Sequence, residues 1–308
     1  MRTYEGVNMG EDVIYPVRSV AEYIEEVVKI EELLRDDRPL KKRTMLFRGQ
    51  GATSYKLMPA IGRNRKNAID ISLLNQERNL IELARYRIPE IFNKAMEPIE
   101  RLSLLQHYGI ATRLLDVTSN ALAALFFACS SDDAKVGEVI VFDHDENDVT
   151  TYPVVNAIAD SYRFLDGTIN RVDHFYEKVL EQPYFLEQRH ICKNFEEAEE
   201  WFFDLCSKPI FVNAPATLLR QKNQSGQFIL FPNYCYRWKG HVWFSKLINA
   251  IDKKSEWVKR RIWIRPESKS IILRELRMCG IDESRLFPDN YDVICKQIMR
   301  DCGNMITY

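Results

Sequence analysis

From Val17 to Leu34, apolar residues recur three and four positions apart (Val20, Tyr23, Ile24, Val27, Val28), and this spacing predicts an amphipathic helix. Thr44 to Gly49 has the pattern of a short strand that breaks into a loop at Gly49-Gln50-Gly51. The longest helical pattern runs from Ile71 to Phe92, and Pro98 stands where a further helix to about His107 would begin. Ile110 to Val117 is predicted as an extended connection. Thr118, Ser119 and Asn120 then offer capping oxygens to an apolar helix, Ala121 to Cys129. Gly137 to Phe142 is a predicted strand, and about Asp160 to Ser207 is predicted helical. Strands follow near Pro209 to Val212 and Gln227 to Phe231. The chain closes with strand Arg260 to Ile264, helix Glu267 to Cys279, and a last helix from about Asn290. Strands separated by helices in this way predict an α+β fold. No repeat or low-complexity linker divides it, so residues 1–40 are expected to form an N-terminal helical extension and 41–308 a single globular unit.

Composition narrows the class little. Apolar content of 46% over 308 residues suits a globular core. A net charge of −1 gives the whole molecule no attraction to nucleic acid or membrane. There is no N-terminal signal pattern and no apolar run of about 18 residues, so a cytoplasmic protein without a membrane span is expected. The seven cysteines are scattered without metal-ligand spacing, which fits a reducing compartment and no metal site.

Local charge is less even. From Lys41 to Lys66 eight basic residues meet no acidic one, and from Lys253 to Arg277 nine basic residues face three acidic ones. Such runs are either solvated faces or, if they cluster in space, a groove for phosphates.

Four stretches carry a family pattern. They are Leu46-Phe47-Arg48-Gly49-Gln50 with Leu57 to Arg63; Leu105 to Thr118 (LQHYGIATRLLDVT) leading into Ala121 to Ala128; Gln221 to Phe228; and Ile272 to Asp289. They resemble the FRG-domain family of bacterial proteins, named for the triplet at Phe47, Arg48 and Gly49, although Ala111 replaces the usual proline of the second motif.

Arginine at a strand end followed by glycine places a planar five-donor cation beside exposed amides, a pairing suited to pyrophosphate. Glycine there permits close approach of a ligand. The alternative is a buried pair of Arg48 with Asp116. The order of motifs also resembles ADP-ribosyltransferases, which implies an ADP-ribosyltransferase-like mixed sheet core with helical N-terminal and C-terminal elements, and NAD as a substrate.

Under that resemblance Arg48 binds phosphate or the nicotinamide ribose and the Gly49 backbone holds the carboxamide, with Gln50 beside them. Thr112 or Thr118 touches the ribose, Tyr55 or Phe127 stacks on the nicotinamide ring, and Arg113 is a second phosphate candidate. Gln224 takes the late position where arginine-modifying transferases carry glutamate. Because Gln224 cannot act as a base, His107 and Asp116 are the candidate titrating groups. Each has a plainer role available, His107 at a helix end and Asp116 orienting Arg113 or Arg48.

The family resemblance implies a toxin or effector of antiviral defence or of a toxin–antitoxin system. Its acceptor would be nucleic acid, RNA ahead of DNA, or protein, and it would face an antitoxin or other neutralising partner but no membrane. The competing expectation is a non-catalytic sensor that binds a nucleotide or nucleic acid in the same pocket. No Walker, GxGxxG, HExxH or GxSxG motif is present, and no carboxylate cluster favours a Mg²⁺ nuclease.

Overall fold

The structure, a computed structural model, describes residues 13–36, 43–63, 73–90, 92, 96–145, 152–165, 170–189, 191–212 and 222–288. Within them lie strands β1 (Val13–Val17), β2 (Arg43–Gln50), β3 (Leu114–Thr118), β4 (Gly137–Asp145), β5 (Ile210–Val212), β6 (Gly226–Leu230), β7 (Cys235–Trp238), β8 (His241–Phe244) and β9 (Val258–Ile264). The helices are α1 (Val20–Asp36), α2 (Glu77–Arg87), α3 (Pro98–His107), α4 (Ala121–Cys129), α5 (Tyr152–Ala159), α6 (Val172–Leu180), α7 (Phe195–Cys206), α8 (Pro266–Met278) and α9 (Glu283–Leu286). The fold is α+β, as the pattern of elements predicts.

Seven strands form one mixed sheet in the order β1-β9-β4-β2-β3-β6-β5, with β1 parallel to β9 and the other pairs antiparallel; β7 and β8 make a separate hairpin. Period-two alternation on β4 divides the core. Val139 and Val141 face a layer of α1, α4 and α8, packing with Ala124, Tyr23 and Ile272. Ile140 and Phe142 face the opposite side, with Leu46, Leu115, Leu57 and Ile61. A third cluster joins α3, α5, α6 and α7 to β5 and β6.

Local signals set the two elements that flank the signature. Proline opens α3, Glu97 and Glu100 form a reciprocal capping box, and Gly109 at φ +81° ends the turn in a conformation that favours glycine. The Asn120 side chain caps α4, accepting from the amides of Leu122 at 3.0 Å and Ala123 at 3.2 Å. Small residues on α4 let its backbone lie directly on β2. A Cβ added to Gly49 would sit 1.9 Å from the Ala124 carbonyl oxygen and 2.7 Å from the Ala128 nitrogen. The glycine of the triplet is therefore required by helix packing.

Several elements differ from the sequence reading. The extended connection ends in a true strand, β3, because its residues pair along their whole length with β6. The helix expected over Ile71 to Phe92 is shorter: a 3-10 turn occupies Leu73–Gln76, and α2 ends at Arg87. Strand β1, helix α5 and the β7–β8 hairpin were not anticipated, and the helix from about Asn290 lies outside the described residues.

Candidate functional site

Strand β2 pairs with β4 over eight consecutive positions, but with β3 through the single pair Phe47↔Thr118. Beyond that rung the two central strands part. The Arg48 side chain bridges the gap, its Nη1 donating to the Asp116 backbone carbonyl at 2.6 Å. A cavity of about 320 Å³ opens there. Its walls are Phe47 to Gly51, Asp116 to Thr118 and the start of β6, closed by Tyr55, Arg63, Phe127, Ser130, Ser131 and Gln224.

Two polar atoms in this wall are left without partners among the described residues. Arg48 Nε and Gln50 Oε1 are both buried and find no hydrogen-bond partner among the described residues. An unmet buried polar group is costly, so such atoms mark where a ligand would bond. Burial pulls the Arg48 guanidinium below its ordinary value; the Asp116 charge opposes that pull and Arg63 adds to it. Arg48 and Arg63 bring two positive charges to the cavity against the one carboxylate, Asp116, among its described lining residues. The excess favours an anion. Tyr55 and Phe127 add aromatic surface. The Tyr55 hydroxyl donates to Asp132 Oδ2 at 2.5 Å, and Phe127 packs edge-on against Phe287.

The expected site residues divide into two groups. Arg48, Gly49, Gln50, Tyr55, Asp116, Thr118, Phe127 and Gln224 border the cavity. Thr112, Arg113 and His107 do not. Thr112 is buried, donates to Gln106 Oε1 at 2.6 Å and accepts from the Leu114 amide at 3.2 Å, so its hydroxyl is not offered to a ribose. Arg113 is buried in a two-pronged pair with Glu77 (Nε to Oε1 2.7 Å, Nη2 to Oε2 2.5 Å), and its Nη1 donates to Asn233 at 2.9 Å. It is a structural cation rather than a phosphate ligand, and its partner is Glu77 rather than Asp116. His107 lies at the end of α3 with its ring edge-on to Tyr108 and is no part of the cavity wall.

Gln106 accounts for the compactness of the second motif. Its Nε2 donates to the Leu114 carbonyl at 3.3 Å and to Asp116 Oδ2 at 3.1 Å, while its Oε1 accepts from Thr112. The side chains of the glutamine, threonine and aspartate of the signature thus close on one another.

Gln224 lies in the turn before β6, not on the strand. Its Nε2 donates to the Leu286 carbonyl at 2.9 Å, and its own carbonyl accepts from Thr118 Oγ1 at 2.5 Å. Thr118 Oγ1 also accepts from the Asn120 amide at 2.8 Å, so it already serves the scaffold.

Arg63, Ser130, Ser131 and Gln227 also line the cavity but were not singled out as site residues. The basic run from Lys41 and the Leu57 to Arg63 stretch of the first motif both contain Arg63. Of that run, Lys41, Lys42, Arg65 and Lys66 lie outside the described residues, while Arg48 and Arg63 reach the cavity. The second run is partly internal. Arg261 pairs with the fully buried Glu138 at 2.8 Å, Lys253 joins the same carboxylate, and Lys269 is buried.

Comparison with known families bears on the strand, the signature and the helix that build this cavity. The FRG domain model matches residues 43–136. Residues 43–136 are thus similar to an FRG domain. The matched span runs from the start of β2 to just before β4 and so supplies most of the wall, while Gln224 and the start of β6 come from outside it. No curated protein and no solved structure matches the chain. No helix among the described residues is long and apolar enough to cross a membrane.

Away from this cavity, Asp173, Glu199 and His241 bring ligand atoms within 4.8 Å of one another. The Arg171 guanidinium already lies among them, with Nη2 2.5 Å from Asp173 and 3.0 Å from His241 Nδ1, and supplies the local positive charge.

Proposed function

We propose that this FRG-domain protein is an NAD-dependent ADP-ribosyltransferase, an effector of bacterial antiviral defence or of a toxin–antitoxin system, acting in the cytoplasm on a nucleic-acid acceptor. The observation that carries the reading is an Arg48 Nε without a partner among the described residues, in a cavity whose described lining holds two arginines, one carboxylate and two aromatic rings. Arg48 and Arg63 suit the diphosphate, and Tyr55 and Phe127 suit a flat ring.

In the reaction, the bond from the nicotinamide nitrogen to ribose C1′ breaks and the electron pair leaves with nicotinamide. An acceptor oxygen or nitrogen then bonds C1′ and loses its proton. Asp116, exposed at the cavity, is the group available to take that proton. Positioning and charge stabilisation dominate such a step. Incubation of the pure protein with labelled NAD and mixed RNA, DNA and protein tests the proposal. Label carried into the RNA fraction supports it; NAD left intact in every mixture refutes it.

One observation favours a second reading, a nucleotide sensor without catalysis. The Gln224 side chain is committed to the Leu286 carbonyl, so the late motif holds the scaffold in place of a substrate. Stoichiometric NAD binding without turnover would select that reading.

A further inference from the structure

Lys269 lies in the first turns of α8, the wrong end of a helix for a positive charge. It is 2% exposed. Among the described residues no carboxylate lies within ion-pair distance of it. Instead its Nζ donates to three backbone carbonyls, those of Gly51, Ser131 and Asp132, each at 2.8 Å. A buried ammonium with no carboxylate in direct contact is costly, and a methionine of similar length would fill the space without that penalty. Three convergent carbonyls are what an ammonium, with three donors, can satisfy and a thioether cannot.

The three carbonyls belong to the cavity wall or adjoin it. Gly51 and Ser131 line it directly. Asp132, next in the chain, turns at φ +52° and aims its carboxylate at the Tyr55 hydroxyl and at Lys135. The packing leaves no slack here. A Cβ on Gly51 would meet Ser131 Oγ at 2.2 Å, and one on Gly137 would meet the Ala128 oxygen at 2.4 Å and Lys269 Cε at 3.2 Å.

We infer that Lys269 is a positioning residue for the cavity: from α8 it fixes the Gly51 and Ser131–Asp132 walls and, through Asp132, the Tyr55 ring. The residue lies far outside the span that matches the FRG domain, so helix α8 sets the geometry of a site built mainly by that span. The inference rests on the NAD reading only where NAD serves as the probe.

The test compares wild-type protein with Lys269→Ala in two assays, amide hydrogen exchange and NAD affinity. Exchange should rise about tenfold or more over residues 51–55 and 130–135 while α6 and α7 keep their protection. NAD should bind about tenfold more weakly. Propylammonium, which replaces the missing atoms, should restore both, and propan-1-ol should restore neither. Exchange that rises evenly over the chain, or equal rescue by the alcohol, overturns the inference. If Lys269→Ala does not fold, Asp132→Ala and Tyr55→Phe decide the relay: each should weaken NAD binding, and wild-type affinity in both overturns it. A wild-type protein that fails to bind NAD refutes the proposed function alone, because exchange needs no ligand.

Discussion

Arg48 donates through Nη1 to the backbone carbonyl of Asp116 at 2.6 Å, beyond the last rung that joins their strands. A side chain from β2 thus serves a group of β3 that a continued ladder would have paired, and the space held open becomes the cavity. The guanidinium keeps its Nε unpartnered among the described residues. One arginine therefore does two jobs, spanning a split in the sheet and offering a donor to whatever enters it.

The triplet glycine makes a separate prediction. Gly49→Ala should destabilise the protein by about 1–3 kcal/mol or more, because α4 must back away from β2. Ala124→Gly should not restore it, since the clash is with the Ala124 carbonyl, which that change leaves in place. Urea unfolding of the single and double variants measures both effects.

Arg113 belongs to stability. Glu77→Gln or Arg113→Ala breaks a buried pair and should cost about 3–5 kcal/mol. NAD binding per folded molecule should stay near wild type, because neither residue borders the cavity. A selective loss of NAD affinity with unchanged melting would return Arg113 to the site.

Much of the fold was legible where local chemistry is strong. Pro98 and Gly109 frame α3, and Asn120 announces α4. Strand β3 was harder to read because Leu114-Leu115-Asp116-Val117-Thr118 is short, and its strand character comes from pairing with β6 more than a hundred residues later. The β7–β8 hairpin turns on Lys239 and Gly240, both at positive φ, and a lysine there gives little warning.

The site was legible in its motifs but not in their orientation. Contiguous signature residues point different ways, so Arg113 enters the core while Asp116 reaches the cavity. Lys269 was visible only as one member of the basic run from Lys253 to Arg277, since its role depends on three carbonyls brought together only by the fold.

Acid should loosen the Tyr55 wall. The Asp132 carboxyl is held below its ordinary 3.8 by its bond with Lys135 first and by the Tyr55 hydroxyl second. A depressed carboxylate contributes fully above its ordinary pKa and is lost as pH falls through the lowered one. The contribution of this anchor to NAD affinity should therefore be flat from about pH 5 to 9 and decline below about pH 4. Titration calorimetry of wild type and Asp132→Asn across that range checks it. A decline already complete at pH 5 would contradict the assignment.

Arg63 should contribute to phosphate binding without holding the fold together, since it is exposed and, among the described residues, it donates to the Met58 carbonyl at 3.2 Å. Arg63→Gln should weaken NAD or RNA binding by about tenfold, with melting little changed. If RNA is the acceptor, its affinity should fall steeply with salt, with a shallower slope in this variant. Filter binding between low and physiological salt supplies both slopes.

NAD turnover by Arg48→Ala, measured beside its thermal melting, tests the central claim most directly. Wild-type protein should consume NAD, and the variant should lose about a hundredfold or more of that turnover, the equivalent of a few kcal/mol, while melting within a few degrees of wild type. A variant that melts far lower yet keeps its turnover per folded molecule would make Arg48 a scaffold residue and contradict the account.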